Sequence, residues 1–207
     1  MHGRIDQPVF NAPRVVVWLA LASLGLHLAL RFLPLDWAGA IFDKLAYIPL
    51  RFTDPAQFTT DPLALFLSPL GYSFLHADWM HLFVNMAMLM AFGSAVARRM
   101  GGPQFLLLYF SGALAGALAT TLYAPGSFIP VIGASAAVSA LVGAIARLSL
   151  FPLQGHPPPP PFHRRQTALG FIIFWLIANL LFGLLPGEFL NVSGRVAWEA
   201  HLGGFLV

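Results

Sequence analysis

The chain alternates long apolar runs with short polar segments. Five of the runs are long, and they lie at Val15–Leu33, His81–Val96, Phe105–Tyr123, Val131–Leu150 and Thr167–Leu185. A helix needs about 20 predominantly apolar residues to cross the hydrocarbon core of a bilayer, and most of the runs come close to that length. The pattern therefore predicts a membrane-spanning helix at each of the five places.

A sixth apolar run begins near Val196 and reaches the last residue, Val207. As an α-helix it would extend over only about 18 Å, because each residue adds about 1.5 Å. We expect it to be the first part of a sixth spanning helix that is cut short. The predicted fold is an all-α, polytopic membrane bundle of six transmembrane helices with a truncated last helix.

The composition agrees with a membrane protein. Hydrophobic residues make up 58% of the chain and charged residues only 9%, and the mean hydropathy is +0.76. These values lie far outside the usual range of a soluble globular domain. The chain has no cysteine, which excludes disulfides, thiolate metal sites and cysteine nucleophiles within it. Nothing in the sequence indicates a nucleic-acid partner or a cofactor.

The basic residues fall into two sets when they are assigned to alternate sides of the membrane. One set flanks short loops and comprises Arg4, Arg14, Arg98, Arg99, Arg147, Arg164 and Arg165. The opposite set comprises Arg31, Lys44, Arg51 and Arg195. Because cytoplasmic loops carry the excess of Lys and Arg, we predict a cytoplasmic N-terminal segment at 1–14, followed by a membrane domain at 15–207. The second, fourth and sixth spans then run from the outer side inwards.

The polar N-terminus leads into the first span without a small-residue cleavage site, so this span is expected to be a retained anchor. No serine-rich transit peptide precedes it, which favours a bacterial inner membrane. In the outer loop at 34–77, charged residues are interspersed among aromatic ones, and we expect this loop to lie half-submerged in the membrane–water interface. The inner loop at 154–166 is proline-rich and is interpreted as a stiff linker rather than a site for a proline-reading partner.

Three spans carry polar residues near their outer ends. Asp78 is a candidate N-cap, which makes His81 the third helical residue and places Asn85 one turn deeper on the same face. Ser135 lies among small residues at the start of the fourth span, and His201 lies near the start of the sixth. Because these spans all descend from the outer surface, the four side chains can meet at one shallow depth.

The residue types indicate acyl transfer. A serine and a histidine on adjacent helices, here Ser135 and His201, are the minimum for a nucleophile and its general base. His81, Asn85 and free N–H groups at the start of the fourth span can stabilise an oxyanion. Glu199 projects from nearly the opposite side of its helix from His201, and no acidic third member is evident. We therefore predict a Ser–His dyad.

These residues resemble the motifs of the rhomboid intramembrane serine proteases. The stretch "HADWMHLFVNM" resembles the family's histidine–asparagine motif, "GASA" resembles its nucleophile motif, and "AHLGG" resembles its catalytic-histidine motif. All three occur in the family's order, and the resemblance covers roughly residue 36 to the end.

The resemblance implies specific roles for several residues. Ser135 would be the nucleophile and His201 the base, while His81, Asn85 and the backbone around Gly133 and Ser135 would bind the oxyanion. His76 would support the outer loop rather than react. The resemblance also implies a six-helix core and, as substrates, transmembrane helices of weak helicity. They would enter near Phe171–Trp175 and Glu188–Val192.

The sequence departs from the family pattern at several positions. Ala136 replaces the glycine that normally follows the nucleophile, which makes the site tighter. A tryptophan–arginine pair would fall at Leu67 and Ser68 and is absent, so the outer loop must be anchored differently. Ser139 replaces a tyrosine that packs on the catalytic histidine in some members. The chain ends before the glycine expected one turn beyond Gly204.

Two alternative functions follow from the same residues. Histidines on three spans, His27, His81 and His201, would suit a haem or metal site in a membrane electron carrier; for His27 alone, a buried structural histidine is the better interpretation. The other alternative is a catalytically inactive rhomboid-like protein that binds transmembrane helices. The sequence does not identify the physiological substrate or the oligomeric state.

Overall fold

The computed structural model describes residues 12–57, 60–151, 165–184 and 196–207. Most of the segment predicted at 1–14, most of the loop at 154–166, and the stretch Glu188–Val192 lie outside the described residues. The described residues form helices and turns, with one isolated bridge between Tyr47 and Val131 and no β-strand among them. The predicted all-α architecture is confirmed.

The helices follow one another along the chain with short connections. Within the described ranges, the α-helices are α1 Arg14–Phe32, α2 Leu35–Leu45, α3 Leu50–Thr53, α4 Pro62–Gly71, α5 Trp79–Met88, α6 Ser94–Met100, α7 Gly102–Tyr123, α8 Ser135–Leu150, α9 Arg165–Leu184 and α10 Trp198–Phe205. A π-helical segment at Leu89–Gly93 joins α5 to α6, so that one continuous helix runs over Trp79–Met100.

Three of the described helices are long and apolar enough to cross a membrane, namely α1, the continuous helix Trp79–Met100, and α7. Shorter apolar helices lie at Pro62–Phe74, Ser135–Leu150 and Gln166–Leu181. Helices α1, α5–α6, α7, α8 and α9 correspond to the five long apolar runs of the sequence, and α10 corresponds to the sixth. The chain is a polytopic helical membrane protein.

Helix α8 packs against both α7 and α10, which also contact each other directly. Most of its side chains are buried. The neighbouring helices approach it through glycines: a Cβ atom added at Gly204 of α10 would lie 2.0 Å from the carbonyl oxygen of Ala136, and one added at Gly112 of α7 would lie 2.5 Å from the Ala140 Cβ. Small residues at such contacts let helix backbones pack closely where lipid offers no hydrophobic driving force.

Helix α8 is also short. Its 16 residues span about 24 Å, which is less than the hydrocarbon thickness of about 30 Å. The fourth apolar run begins at Val131, but the helix begins only at Ser135. Gly133 adopts a positive φ of 119°, and this conformation prevents the helix from extending back towards Val131. The start of α8 is therefore set by the turn at Gly133 and not by the start of the apolar run.

The outer loop contains α2, α3 and α4, and it is fastened to the segment that precedes α8. Tyr47 and Val131 exchange two backbone hydrogen bonds of 3.2 and 2.7 Å, and the Leu50 N–H donates to the Ser127 carbonyl at 3.1 Å. Within the loop, Lys44 pairs with Asp61. This hydrogen bond from Lys44 lowers the pKa of the Asp61 carboxyl. The loop thus has its own anchors in place of the tryptophan–arginine pair that is absent at Leu67 and Ser68.

Candidate active site

The start of α5 presents His81 and Asn85 towards the bundle. The Asp78 carboxylate caps the helix by accepting a hydrogen bond from the His81 backbone N–H at 2.8 Å, as the sequence predicted. His81 is therefore the third helical residue, and Asn85 lies one turn below it. Asn85 is buried, and its side-chain amide donates to the His81 carbonyl at 3.0 Å.

Ser135 is the first residue of α8, directly after the turn at Gly133. The first N–H groups of a helix have no intrahelical acceptor, and in α8 the first helical bond is donated by Val138 to the Ala134 carbonyl. The Gly133 N–H is different, because it donates to the Tyr72 carbonyl at 2.9 Å. In this structure the Gly133 N–H is thus committed to Tyr72, and Gly133 contributes to the site through its conformation and its missing side chain.

The structure brings Ser135 and His201 together. His201 Nε2 lies 2.7 Å from Ser135 Oγ, across the contact between α8 and α10. The close approach of α10 at Gly204 places the two side chains at this distance. Both side chains are partly accessible rather than fully buried, so the pair can exchange protons with a substrate and with water.

A third side chain, Asn179 of α9, completes the environment of His201. Asn179 Oδ1 lies 2.6 Å from His201 Nδ1, and the Asn179 side-chain amide Nδ2 donates to the Trp175 carbonyl at 2.8 Å. Asn179 is not among the residues predicted from the sequence, because the partner expected beside a catalytic histidine is acidic. The signal was nevertheless present: a carboxamide in the middle of an apolar span needs a hydrogen-bonding partner inside the bundle.

His81 faces the space beside Ser135. A Cβ atom added at Gly133 would lie 2.7 Å from His81 Nε2 and 3.7 Å from Ser135 Oγ. The absence of that side chain therefore leaves a gap between the serine and the imidazole, which we call the glycine gap. The Ala77 N–H points to His81 Nδ1 at 3.4 Å, so Nδ1 is the acceptor nitrogen. The proton then resides on Nε2, and His81 presents an N–H donor to the glycine gap.

His76 and His27 lie behind the site and support it. His76 Nδ1 lies 3.2 Å from the Phe74 carbonyl, and the Ala134 N–H donates to His76 Nε2 at 3.5 Å, so this side chain links the outer loop to the turn before Ser135. Burial, reinforced by the neighbouring His81, lowers the pKa of His76 to about 3. His76 is thus neutral at physiological pH. His27 Nδ1 donates to the His76 carbonyl at 3.2 Å.

The remaining departures from the family pattern have clear local environments. The Ala136 methyl is buried and faces α7 where Gly116 has no side chain; a Cβ atom added at Gly116 would lie 2.4 Å from the Ala136 Cβ. The Ser139 hydroxyl donates to the Ser135 carbonyl at 2.7 Å, one turn up its own helix. Among the described residues, no group of three or more His, Asp or Glu side chains is arranged to hold a metal ion.

Comparison with known proteins places the chain in a family. A family model described as "Rhomboid domain" matches residues 65–207, which is more than half of the chain. The chain belongs to the rhomboid family. The resemblance seen in the three motifs is thereby confirmed, and the family membership together with the spanning helices makes this rhomboid an integral membrane protein.

Relatives of this rhomboid carry different names. "Rhomboid protein 1, mitochondrial" of Saccharomyces cerevisiae is 35% identical over 88 residues, which cover 42% of this chain and 25% of the relative. "Rhomboid protease GluP" of Bacillus subtilis is 34% identical over 132 residues, covering 64% of this chain and 22% of the relative. "Inactive RHOMBOID-like protein 8" of Arabidopsis thaliana is 28% identical over 125 residues, covering 59% and 33%.

The chain spans less than half the length of these relatives. One of them is named as a protease and another as inactive. Family membership alone therefore leaves the activity to be argued from the site.

Proposed function

We propose that this rhomboid is an intramembrane serine endopeptidase in which Ser135 is the nucleophile and His201 the general base. The observation that carries the proposal is the 2.7 Å contact between His201 Nε2 and Ser135 Oγ. This distance lies within the range required for proton transfer between a nucleophile and its base. The site also has N–H donors beside the serine, which a helix-packing serine would not require.

The proposed reaction proceeds through an acyl-enzyme. Ser135 Oγ attacks the carbonyl carbon of the scissile peptide bond while His201 Nε2 takes the hydroxyl proton. The C–N bond then breaks, and the leaving amine receives that proton from His201. Water next attacks the ester carbonyl and gives its proton to His201, which returns it to Ser135 as the acid product leaves.

The glycine gap beside Ser135 is the proposed oxyanion site. His81 Nε2 and Ser135 Oγ line it, and the first N–H groups of α8, which begins at Ser135, have no intrahelical acceptor. Asn85 holds the His81 turn through its bond to the His81 carbonyl and has a second amide hydrogen available. Preorganised donors of this kind contribute most in a site of low dielectric, where water does not compete.

We infer that the substrates are transmembrane helices cut near the outer face. Ser135 lies at the outer end of a short helix, inside a bundle whose surface is covered by lipid-facing side chains. A substrate helix must unwind locally before its peptide bond is exposed, because its backbone groups are otherwise bonded to one another. For the compartment we propose the bacterial inner membrane, on the distribution of basic residues.

Covalent labelling tests the proposed enzyme most directly. A fluorophosphonate probe is expected to label the purified protein, while Ser135→Ala abolishes labelling and His201→Ala slows it by at least about 10³-fold, in line with losses on removing such a pair. Ser149→Ala is the matched control, since Ser149 is a buried serine of the same helix whose hydroxyl donates to the Ile145 carbonyl at 2.7 Å. It should label at the parent rate.

Cleavage of a transmembrane reporter in liposomes, with the same variants, then tests the substrate class. A parent protein that reacts with neither the probe nor the reporter would overturn the proposal and favour an inactive helix-binding rhomboid. Labelling of Ser135→Ala at the parent rate would assign the nucleophile to another residue.

A further inference from the structure

We infer that Asn179 is the positioning residue of His201: its side-chain oxygen accepts the Nδ1–H proton and so holds the imidazole with its free Nε2 lone pair aimed at Ser135. The inference rests on the proposed function and deepens it, since it converts the Ser–His pair into a serine–histidine–asparagine arrangement. The contact that carries it is Asn179 Oδ1 to His201 Nδ1, at 2.6 Å.

The orientation of the Asn179 amide is determined by its second hydrogen bond. The Trp175 carbonyl, 2.8 Å from Asn179 Nδ2, can only accept, so the NH₂ group must face it. The Oδ1 atom must therefore face His201. An oxygen acceptor at 2.6 Å requires a proton on the facing ring nitrogen, which is Nδ1.

The tautomer of His201 follows from this. A neutral imidazole carries one N–H, and with the proton on Nδ1 the other nitrogen, Nε2, has its lone pair free. That nitrogen lies 2.7 Å from Ser135 Oγ and is ready to accept the hydroxyl proton. Without an acceptor at Nδ1, both tautomers would be populated, and the one with the proton on Nε2 has no lone pair for Ser135.

The packing of α9 on α10 fixes the position of Asn179. Trp175, one turn before it on α9, stacks on Phe205 of α10 with ring centroids 4.6 Å apart. Gly183, one turn after it, approaches Trp198, whose Cδ1 atom would lie 2.3 Å from an added Cβ. The Asn179–His201 hydrogen bond lies between these two contacts along the helix pair. The two antiparallel helices therefore set both the depth and the direction of the hydrogen bond.

An amide suits this location better than a carboxylate. A charged group on a membrane-spanning helix needs a compensating partner and costs free energy when desolvated. The amide accepts from Nδ1 through its dipole and brings no charge. When His201 becomes protonated during the reaction, the same dipole stabilises the imidazolium. Cys–His–Asn arrangements use an asparagine in this way on unrelated folds.

The first test compares labelling rates with a fluorophosphonate probe. Asn179→Leu keeps the volume and removes the acceptor, and we expect its rate to fall by about 10- to 1,000-fold, less than the roughly 10⁴-fold loss seen when a charged acceptor is replaced. Asn179→Asp keeps Oδ1, and a protonated carboxyl can still donate to the Trp175 carbonyl, so it should recover at least a tenth of the parent rate. Labelling of Asn179→Leu at the parent rate would overturn the inference.

The second test observes the tautomer without any reaction. Selective ¹⁵N labelling of histidine, with the His201 signals assigned by comparison with His201→Gln, should show Nδ1 protonated in the parent and a mixture of tautomers in Asn179→Leu. Leu180→Ala is the matched control, because Leu180 follows Asn179 on the same helix with an exposed side chain and its removal should leave the tautomer unchanged. A parent protonated on Nε2, or a control that shifts as far as Asn179→Leu, would also overturn the inference.

The two tests separate this inference from the proposed function. If Ser135→Ala labelled as fast as the parent, the proposed nucleophile would be wrong, while the ¹⁵N spectra would still report whether Asn179 orders His201. If only Ser135 and His201 affected labelling, the enzyme would stand and the positioning role would fall.

Discussion

At the scale of single residues, the site depends on Gly133, which has no side chain. Gly133 has a φ of 119°, a conformation that residues with a Cβ atom rarely adopt. The space that its side chain would fill is the glycine gap between His81 Nε2 and Ser135 Oγ. The same residue thus provides the turn that starts α8 late and the room in which an oxyanion would form.

The substitution Gly133→Ala tests this double role. Its Cβ atom would lie 2.7 Å from His81 Nε2, closer than non-bonded contact allows, and the positive φ would add strain of about 1–3 kcal/mol. We expect fluorophosphonate labelling to fall by at least about 100-fold, the scale of losing one oxyanion donor.

The matched control for Gly133 is Gly126→Ala. Gly126 lies in the same connection between α7 and α8, has an ordinary φ, and has open space around an added Cβ atom. Its variant should label at close to the parent rate. If Gly133→Ala behaved like Gly126→Ala, the gap would have no part in the reaction.

At the scale of helices, the position of Ser135 depends on the packing of α7, α8 and α10. The Ala136 methyl, which replaces the family's glycine, lies where Gly116 of α7 has no side chain. The Ala136 methyl of α8 therefore fits into the space left by Gly116 of α7. Gly204 of α10 packs closely against the Ala136 carbonyl. The packing of Ala136 on α7 therefore also affects the distance between Ser135 and His201.

A double-mutant cycle measures the fit. Gly116→Ala places a Cβ atom 2.4 Å from the Ala136 Cβ and 2.9 Å from Tyr72 Oη, and such overpacking typically costs 1–3 kcal/mol. Ala136→Gly alone should cost about 0.5–1 kcal/mol as a glycine within a helix. In the double variant we expect a favourable coupling of at least about 0.5 kcal/mol, because one clash is relieved while the contact with Tyr72 remains.

Denaturant titration of the purified protein in micelles would give the free energies of unfolding for this cycle. Gly170→Ala of α9 is the control, since an added Cβ atom there meets nothing within 4 Å. It should be neutral or slightly stabilising. Additive losses in the double variant would contradict the proposed fit.

The helices and the site differ in how far the sequence predicts them. Apolar length indicated the spans, and the Asp78 cap indicated the start of α5, because both signals are local. The contact between Asn179 and His201 was not predicted, because the two residues lie 22 positions apart on different helices. The commitment of the Gly133 N–H to Tyr72 has no local signal either, since the acceptor belongs to the distant outer loop.

At the scale of the whole molecule, the site and the larger set of basic residues lie at opposite ends of the bundle. The site is formed by the N-terminal ends of α5, α8 and α10, on the side of the outer loop. Arg14 begins α1, Arg99 lies at the end of α6 and Arg147 lies near the end of α8; α6 contacts both α1 and α8. Because basic ends remain cytoplasmic, Ser135 should open to the outer side.

Single-cysteine labelling tests this orientation, and the chain suits it because it contains no cysteine. Ala56→Cys lies on the exposed outer loop, and Gln104→Cys lies at the exposed start of α7, at the basic end. In bacterial spheroplasts, a membrane-impermeant maleimide should modify Ala56→Cys and spare Gln104→Cys, whereas both should react after the membrane is permeabilised. The reverse labelling pattern would mean that the protein has the opposite orientation in the membrane, with Ser135 near the cytoplasmic face. A substrate helix would then have to be cut on that side, so this measurement decides which end of a transmembrane reporter should carry the scissile bond.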